Sequence, residues 1–285
     1  MKTQILVTGA TGNIGRELTR QLAHAGDGFE VIAASTKGVS VAGAPGRPLD
    51  LLDPASVAAA LADIDRLFLL TPAHPAMEAM TINAVAAAKA AGVQHIVRVS
   101  GAGADPDSDI AVARLQGRCD RVIIDSEIAY TLLRPKNFMQ NFTTFLRDMV
   151  RTGAVYSSQG DGRVPLIDAR DIASVAAHVL TAPESHAGQA YTLTGPEALS
   201  NAEALAVIAR EVGREVRLVP ISEEQAAAGM RQEGMPSEMV EVMSSLNRVI
   251  AAGWVAEVTD DVPRLLGRPA SRWADFVHEH RESWV

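Results

Sequence analysis

Three glycines near the start of the chain have the spacing of a phosphate-binding turn. Gly9, Gly12 and Gly15 follow the apolar residues 5–8 and open an amphipathic stretch. Gly9 permits a tight turn, Gly12 lets a diphosphate approach the backbone, and Gly15 lets a helix pack closely on the strand. Unpaired N–H groups at the helix start then bind the phosphate charge. The pattern predicts a dinucleotide site with the contacts Gly9, Thr11, Gly12, Asn13, Ile14 and Gly15.

The end of the next predicted strand indicates which dinucleotide is bound. An NAD-selective protein usually has Asp or Glu there, bonded to the ribose 2′-hydroxyl. Here residues 31–34 lead into Ser35, Thr36 and Lys37, with no carboxylate. Hydroxyls and an ammonium suit a 2′-phosphate, and Arg47 adds charge if its loop folds back. NADP(H) is therefore favoured over NAD(H); a solvated loop lysine at position 37 is the alternative.

Three further strand ends carry candidate cofactor contacts, because ligands of open α/β sheets lie beyond the carboxyl ends of the strands. The candidates are Asp50, Leu51, Thr71, Pro72 and Ser100. An adenine contact and a plain loop position both remain open for Asp50, and the two hydroxyls could equally serve a loop or a helix cap. Asp53 before Pro54 has a sufficient structural explanation as an N-cap.

Short apolar runs alternate with amphipathic stretches in the first half, which predicts an α/β fold with a doubly wound, Rossmann-type parallel sheet. Strands are predicted at 5–8, 31–34, 66–70, 95–100 and 130–133, with a short one at 47–49. Helices are predicted at 14–25, 54–62, 75–91 and within 110–126. We assign 1–153 to the dinucleotide-binding domain, with later chain returning to it, and 154–285 mainly to a smaller α+β substrate lobe. In that lobe we expect a helix at 202–212 opened by a capping box, a strand at 215–219, helices at 222–232 and 237–252, and an apolar helix face near the C-terminus.

Composition excludes several other classes of protein. A net charge of −8 over 285 residues argues against nucleic acid as a direct partner, since phosphate backbones need a basic face. Cys119 is the only cysteine, so neither an internal disulfide nor a cysteine-based metal cluster can form. The histidines lack metal-ligand spacing except His278 and His280, which fall on different faces of a helix, and we expect no metal. No apolar run approaches the roughly 20 residues that span a bilayer, and no leader pattern is present. We expect a cytoplasmic monomer or homodimer.

Two segments together resemble the NmrA-like group of atypical short-chain dehydrogenases/reductases. They are the turn at 7–15 and the later sequence Tyr-Thr-Leu-Leu-Arg-Pro-Lys-Asn-Phe-Met-Gln-Asn at 130–141; residues 160–173 are similar to that group's next segment. The resemblance covers most of residues 1–200. It implies a Rossmann domain with a small C-terminal lobe, an NADP(H) or NAD(H) site between them, and a small hydrophobic or aromatic substrate. It also implies that Pro135, Asn137 and Phe138 lie near the nicotinamide.

The chain lacks the proton relay of ordinary short-chain dehydrogenases. In a Tyr-x-x-x-Lys pair the lysine lowers the tyrosine pKa, so that the tyrosine can pass a proton to a carbonyl oxygen. Residues 100–129 contain neither tyrosine nor lysine. Gln116 stands where one branch of the resembling group carries a lysine, which makes it a candidate substrate hydrogen-bonder. His74, at a predicted strand end, is a second catalytic candidate, but it also suits a loop that leads into a helix.

Two interpretations follow from this departure. In the first, the protein delivers hydride from NAD(P)H to an electron-poor small acceptor, such as a quinone, an iminium or a dye, which needs no buried proton donor. In the second, it is a non-catalytic NADP(H)-binding redox sensor that regulates a protein partner. We favour the reductase, because the nucleotide-binding turn is intact and the C-terminal lobe is large enough to enclose a substrate.

Overall fold

The structure, a computed structural model, describes residues 2–285. Its strands are Thr3–Val7 (β1), Phe29–Ser35 (β2), Gly46–Pro48 (β3), Arg66–Leu69 (β4), His95–Val99 (β5), Ala129–Pro135 (β6), Ala154–Ser157 (β7), Arg163–Pro165 (β8), Gln189–Leu193 (β9), Ala198–Ser200 (β10) and Arg217–Pro220 (β11). Its α-helices are Asn13–Leu22 (α1), Pro54–Leu61 (α2), Met77–Ala91 (α3), Ala111–Ile124 (α4), Arg147–Thr152 (α5), Ala169–Thr181 (α6), Asn201–Val212 (α7), Glu223–Gln232 (α8), Ser237–Ala251 (α9), Asp261–Leu266 (α10) and Trp273–Glu279 (α11).

Seven strands form one sheet in the order β3-β2-β1-β4-β5-β6-β9. Every pairing from β3 through β6 is parallel. The strand order reverses between β1 and β4, which is the switch point where such sheets bind ligands. The predicted Rossmann-type fold class is confirmed. Because the strands from β3 through β6 are parallel, their carboxyl ends lie at one edge of the sheet, and the loops that follow them can contact a cofactor there.

Contacts divide the chain into two units. The first, which we call the nucleotide unit, comprises the chain through Asp109, Ala113–Pro135 and Ala169–Thr192. The second, the C-terminal unit, comprises Ile110–Val112, Lys136–Asp168 and Leu193–Val285. The sequence predicts a main boundary between 153 and 154, whereas the chain passes between the two units at 109/110, 112/113, 135/136, 168/169 and 192/193.

The nucleotide unit is held together by an apolar layer on each face of the sheet. Leu6, Ile32 and Leu67 belong to one buried cluster with residues of α2 and α3. Ile5 and Val7, which alternate with Leu6 along β1, are fully buried too and must point to the opposite face. There α1 packs against α6. Covering both faces explains why these strands are continuous apolar runs rather than alternating ones.

The C-terminal unit has its own core. Phe142, Trp273 and Phe276 lie in a second buried cluster, with ring centroids of Phe142 and Trp273 4.8 Å apart. The Trp273 indole N–H donates to the Ala204 carbonyl at 3.0 Å. Two small sheets complete this unit: β7 pairs with β11 in parallel and β8 pairs with β10 antiparallel. The predicted apolar face of the last helix is therefore present and buried.

Most predicted elements are present with shifted ends. The helix after the glycine turn ends at Leu22 rather than 25, and the one predicted from 75 begins at Met77. The Ser200–Glu203 capping box is formed. The sequence did not predict β9, the two small sheets' strands at 154–157 and 163–165, or β10. These strands are short and lack a long apolar run, so periodicity alone does not mark them. Among the described residues no helix has the length and apolar character to cross a membrane.

Candidate functional site

The glycine turn joins β1 to α1 and is bonded to both neighbouring strands. Gly9 has a φ of +61°, a conformation that side chains disfavour, and the Gly12 amide donates to the Gly9 carbonyl at 2.9 Å. The Ala10 amide donates to the Ala34 carbonyl of β2 at 3.1 Å. A Cβ at Gly15 would overlap the Gly9 carbonyl oxygen, so only glycine allows this approach. The turn is thus fixed by main-chain bonds.

The start of α1 is open for an anion. Gly12 is its N-cap and supplies no side chain, and the first turn contains no acidic residue. Thr11 and Asn13 are exposed, and Ile14 is buried. No side chain caps the helix start, so its first amides point outward with the positive end of the helix dipole. Backbone and dipole here fit a diphosphate, which is the part of a dinucleotide that the glycine pattern predicts.

The loop after β2 is tightly shaped and presents polar side chains. The Ser35 carbonyl accepts two amides, from Gly38 at 3.0 Å and from Leu49 at 2.9 Å. Thr36 and Lys37 are exposed at its tip. The Ser35 hydroxyl is buried and has no hydrogen-bond partner among the described residues. An unpaired buried hydroxyl is costly unless something bonds to it, so this strand end fits a further polar group.

Arg47 does not add charge to this loop. Its guanidinium Nη1 donates to the carbonyls of Ala60 at 2.8 Å and Ala62 at 3.1 Å, at the carboxyl end of α2. Two carbonyls left free by the helix end are natural acceptors for an arginine. The expectation that Arg47 folds back toward the 2′-phosphate position is therefore wrong.

The loop that leads into α2 contains two aspartates, one that caps the helix and one that can contact a ligand. Asp53 accepts the Ala55 amide at 2.9 Å and caps the helix before Pro54, as predicted. Asp50 is exposed, and one of its oxygens accepts the Leu52 amide at 2.9 Å. The Leu51 carbonyl accepts from the Asn83 side chain at 3.0 Å. Asp50 therefore keeps a second carboxylate oxygen for a ligand such as an adenine amine.

The loop after β4 contains Thr71, which is buried, and Pro72, which is exposed. Thr8 fixes its start: the Leu70 amide donates to the Thr8 hydroxyl at 2.8 Å, and that hydroxyl donates to the Leu70 carbonyl at 3.1 Å. Sequence reasoning missed Thr8 in this role, although a hydroxyl directly before the glycine turn is the available signal. His74 is exposed, and its Nδ1 accepts the Ala76 amide at 3.0 Å just before α3. Its ring thus serves the helix start.

A buried charged network lies at the carboxyl ends of β5 and β6. Arg98, which is fully buried, forms an ion pair with Asp120 of α4. The other oxygen of Asp120 accepts the Ser100 hydroxyl at 2.9 Å and Arg134 Nη2 at 2.9 Å. Two guanidiniums thus share one carboxylate. The Ser100 side chain serves this network, which its strand-end position did not reveal.

Gln116 belongs to the same network. Its Oε1 accepts Arg98 Nη2 at 2.7 Å. A Cβ on Gly101, the second residue after β5, would lie 3.2 Å from Gln116 Cγ. The amide therefore lies directly beside the loop at the carboxyl end of β5, the side of the sheet on which ligands bind.

Tyr130 and Lys136, the first tyrosine and lysine after residues 100–129, have roles other than a proton relay. Tyr130 is near the amino end of β6 and packs against the apolar cluster of the nucleotide unit. Lys136, in the C-terminal unit, donates to the carbonyls of Val255, at 3.0 Å, and Glu257. Burial lowers the pKa of Lys136. Neither side chain can supply the relay that the sequence lacks.

The three residues that the family resemblance places near the nicotinamide lie at the end of β6 and just beyond it. Pro135 ends that strand, and its carbonyl accepts the Ala102 amide at 3.2 Å. Phe138 forms an isolated parallel bridge with Ile167, and the Asn137 carbonyl accepts the Ile167 amide at 2.9 Å. In the described chain no group of three or more His, Cys, Asp or Glu side chains is placed to hold a metal.

A parallel doubly wound sheet with this turn and open helix start defines a Rossmann-type dinucleotide-binding protein. The model of an NAD(P)H-binding family matches residues 9–183. The chain belongs to this NAD(P)H-binding family. The match includes the glycine turn, the β2 end and the Arg98 network, and the predicted resemblance to the NmrA-like group is confirmed.

Named relatives match over nearly their whole length. The chain is 39% identical to an NAD(P)H azoreductase of Xenophilus azovorans over 97% of each protein. It is 25% identical to an NADPH-dependent quinone oxidoreductase of Escherichia coli solved with NADPH, covering 96% of this chain and 99% of that one, with a TM-score of 0.83. It is 26% identical to a Citrobacter triphenylmethane reductase solved with NADP(H), covering 97% and 99%, with a TM-score of 0.82. These relatives confirm the class that the sequence predicts, an NAD(P)H-dependent reductase of small organic acceptors.

Proposed function

We propose that this chain is an NADPH-dependent reductase that delivers hydride to an electron-poor organic acceptor without a tyrosine–lysine relay. The observation that carries the proposal is the open start of α1 beneath the Gly9–Gly15 turn, in a chain 39% identical to an azoreductase over 97% of its length. The amides there bind the diphosphate and so fix the nicotinamide. Catalysis is then mainly positioning, because the cofactor itself supplies the hydride.

The end of β2 supports the preference for NADPH. Thr36 and Lys37 are exposed beside the buried, unpartnered Ser35 hydroxyl, and none of the three carries negative charge. A 2′-phosphate gains bonds from hydroxyls and an ammonium, whereas a carboxylate at this position would repel it. Asp50, Leu51, Thr71, Pro72 and Ser100 remain proposed contacts for the rest of the cofactor, as do Pro135, Asn137 and Phe138.

The lack of a relay limits the acceptors. A simple ketone needs a proton at its oxygen as hydride arrives, which is the role of the tyrosine. A quinone, an azo compound or a cationic dye carbon accepts hydride more easily and can take any proton from water afterwards. Names of the relatives support this range: azoreductase, quinone oxidoreductase and triphenylmethane reductase.

Turnover with an acceptor panel tests the activity. Purified protein is mixed with NADPH and a quinone, an azo dye, a cationic triarylmethane dye or a simple ketone, and loss of reduced nicotinamide absorbance is followed. We expect oxidation with at least one of the first three and none with the ketone. Tight NADPH binding with no turnover on any acceptor would contradict the reductase and leave the redox sensor.

Exchange of one charge tests the cofactor preference. We expect Lys37→Glu to weaken NADPH binding about 10- to 100-fold by calorimetry and NADH binding less than about twofold, because only NADPH carries the 2′-phosphate. Lys2→Glu makes the same change of net charge at an exposed site before β1 and serves as the control. If Lys37→Glu weakens the binding of NADPH and NADH equally, Lys37 does not contact the 2′-phosphate.

Two expectations about the whole protein stay proposals. We propose that it acts in the cytoplasm, and that it is a monomer or homodimer whose ligands are the cofactor and a small hydrophobic or aromatic substrate. Cell fractionation and sedimentation at equilibrium measure these properties directly. Recovery in a membrane fraction, or a stable tetramer, would contradict them.

A further inference from the structure

We propose that Gln116 is a hydrogen-bond donor to the reducible group of the acceptor, oriented by the buried Arg98–Asp120 pair. The inference rests on the reductase function proposed above and names the acceptors that this site favours. They are molecules whose reduced centre gains negative charge on a hydrogen-bonding atom, such as a quinone oxygen or an azo nitrogen.

The orientation of the Gln116 amide follows from its partner. A guanidinium has only donors, so the atom that faces Arg98 Nη2 at 2.7 Å must be the amide oxygen. The NH₂ group therefore points away from Arg98. It has no hydrogen-bond partner among the described residues, which leaves two N–H donors for a ligand.

Arg98 is itself held in place. Gln116 and Asp120 are four residues apart on α4 and so face the same side, toward β5. Arg98 contacts both: Nη1 pairs with Asp120 and Nη2 with Gln116. Arg98 is fully buried and the Asp120 side chain is 3% exposed. A buried bond between two charged groups resists rotation, so the Gln116 amide is set before any ligand arrives.

The loop after β5 brings this donor to the ligand side of the sheet. The Asp105 amide donates to the Ala113 carbonyl of α4 at 3.1 Å. A Cβ at Gly117 would overlap the backbone of Asp105, so only glycine lets the loop lie this close to the helix. Gln116 is the neighbour of that contact and also fills the space beside Gly101. The donor is therefore fixed at a strand carboxyl end.

The chemistry distinguishes acceptors. Hydride moves two electrons and one hydrogen from the reduced nicotinamide, which is left oxidised, to a quinone, whose carbonyl oxygen becomes anionic and then takes a proton from water. The Gln116 N–H stabilises that oxygen as its charge grows. When hydride adds to the central carbon of a cationic triarylmethane dye the product is neutral, and no atom gains negative charge. Gln116 then has nothing to stabilise.

Two variants separate the donor from a structural role. Gln116→Glu keeps an oxygen for Arg98 but removes both N–H donors, and Gln116→Met removes the polar group while keeping the length of the side chain. Gln94→Met, at an exposed position before β5, is the matched control. Each is assayed with NADPH and menadione, methyl red or malachite green. Binding of menadione to the enzyme–NADP⁺ complex, where no hydride is available, is measured by calorimetry.

We expect both Gln116 variants to lower kcat with menadione and methyl red about 10- to 100-fold, the range for a bond to a charged group. Malachite green turnover and the NADPH Kd change less than about twofold. Menadione Kd in the NADP⁺ complex rises only about two- to tenfold, because a neutral oxygen gains less from the bond. The Gln94 control behaves as wild type.

Other results overturn the inference. An equal loss with all three acceptors assigns Gln116 to structure, and no loss with menadione shows that it does not contact the acceptor. If Gln116→Met fails to fold, Gln116→Glu alone decides, because it preserves the bond from Arg98. Wild-type protein that binds NADPH but reduces none of the acceptors contradicts the proposed function itself, a result distinct from a variant that leaves normal turnover intact.

Discussion

The two ends of β5 and β6 carry buried polar clusters of different character. At the amino end a chain of hydrogen bonds begins at His95, whose Nε2 lies 2.9 Å from the Thr131 hydroxyl. That hydroxyl donates to the His186 carbonyl at 2.8 Å. The His186 ring continues the chain, with its Nδ1 2.8 Å from the Tyr191 hydroxyl. At the carboxyl end Arg98 and Arg134 share Asp120, and the Nε atoms of both arginines have no partner among the described residues.

The two clusters differ in whether the polar groups described in them are all used in bonds within the protein. The amino-end cluster links side chains and backbone within the nucleotide unit. The carboxyl-end network has two positive charges for one negative charge and retains unused donors. A buried donor without a partner costs stability, so the two Nε atoms need a structural or functional explanation that the amino-end cluster does not need. The carboxyl end is therefore the end at which we propose ligand chemistry.

The largest expected effect comes from breaking the carboxyl-end ion pair. Asp120→Ala leaves the fully buried Arg98 without its carboxylate, and we expect the free energy of unfolding to fall by about 3–5 kcal/mol. Urea denaturation measures this, with the exposed Asp125→Ala as the control. A loss below about 1 kcal/mol would mean that water solvates Arg98 and that the network is not buried as described.

A glycine substitution near each end of the sheet gives the next effect. Gly15→Ala forces the turn away from α1, and we expect a loss of about 1–3 kcal/mol in the free energy of unfolding together with weaker NADPH binding. Gly28→Ala, before β2 at the amino end, meets nothing within 4 Å and should leave both quantities nearly unchanged. If Gly15→Ala binds NADPH as tightly as the wild type does, the glycine turn is not part of the cofactor site.

The smallest effect is a pH dependence at the amino end. Burial, with the nearby charge of Arg66, lowers the pKa of His95 from 6.5 to about 4, although Glu184 opposes this. The unfolded chain thus binds a proton at higher pH than the folded one, so stability present above pH 6.5 is lost as pH falls toward 4. We expect about 1 kcal/mol less stability at pH 5.5 than at pH 7 from this residue.

The measurement compares urea midpoints of wild type and His95→Gln across that window. Glutamine retains an N–H donor for Thr131 but does not titrate. We expect the variant to have the flatter profile. Parallel profiles would show that His95 is solvated in the folded protein and that the amino-end cluster is looser than its bonds indicate.

Sequence patterns predicted the fold and the phosphate turn because both depend on local features. The glycine spacing at Gly9, Gly12 and Gly15 and the apolar runs before each helix are local properties of the chain. The Arg98–Asp120 network was not predictable in this way: its members come from β5, α4 and β6, and only the folded sheet brings them together. Arg47 was misplaced for the same reason, since its carbonyl acceptors belong to the end of α2.

The Ser35 carbonyl, which accepts the amides of Gly38 and Leu49, has a practical consequence for engineering. Main-chain bonds set the path of this loop, so the identities of Thr36 and Lys37 are free to vary without reshaping it. A combinatorial library at those two positions would therefore sample coenzyme preference on a constant scaffold.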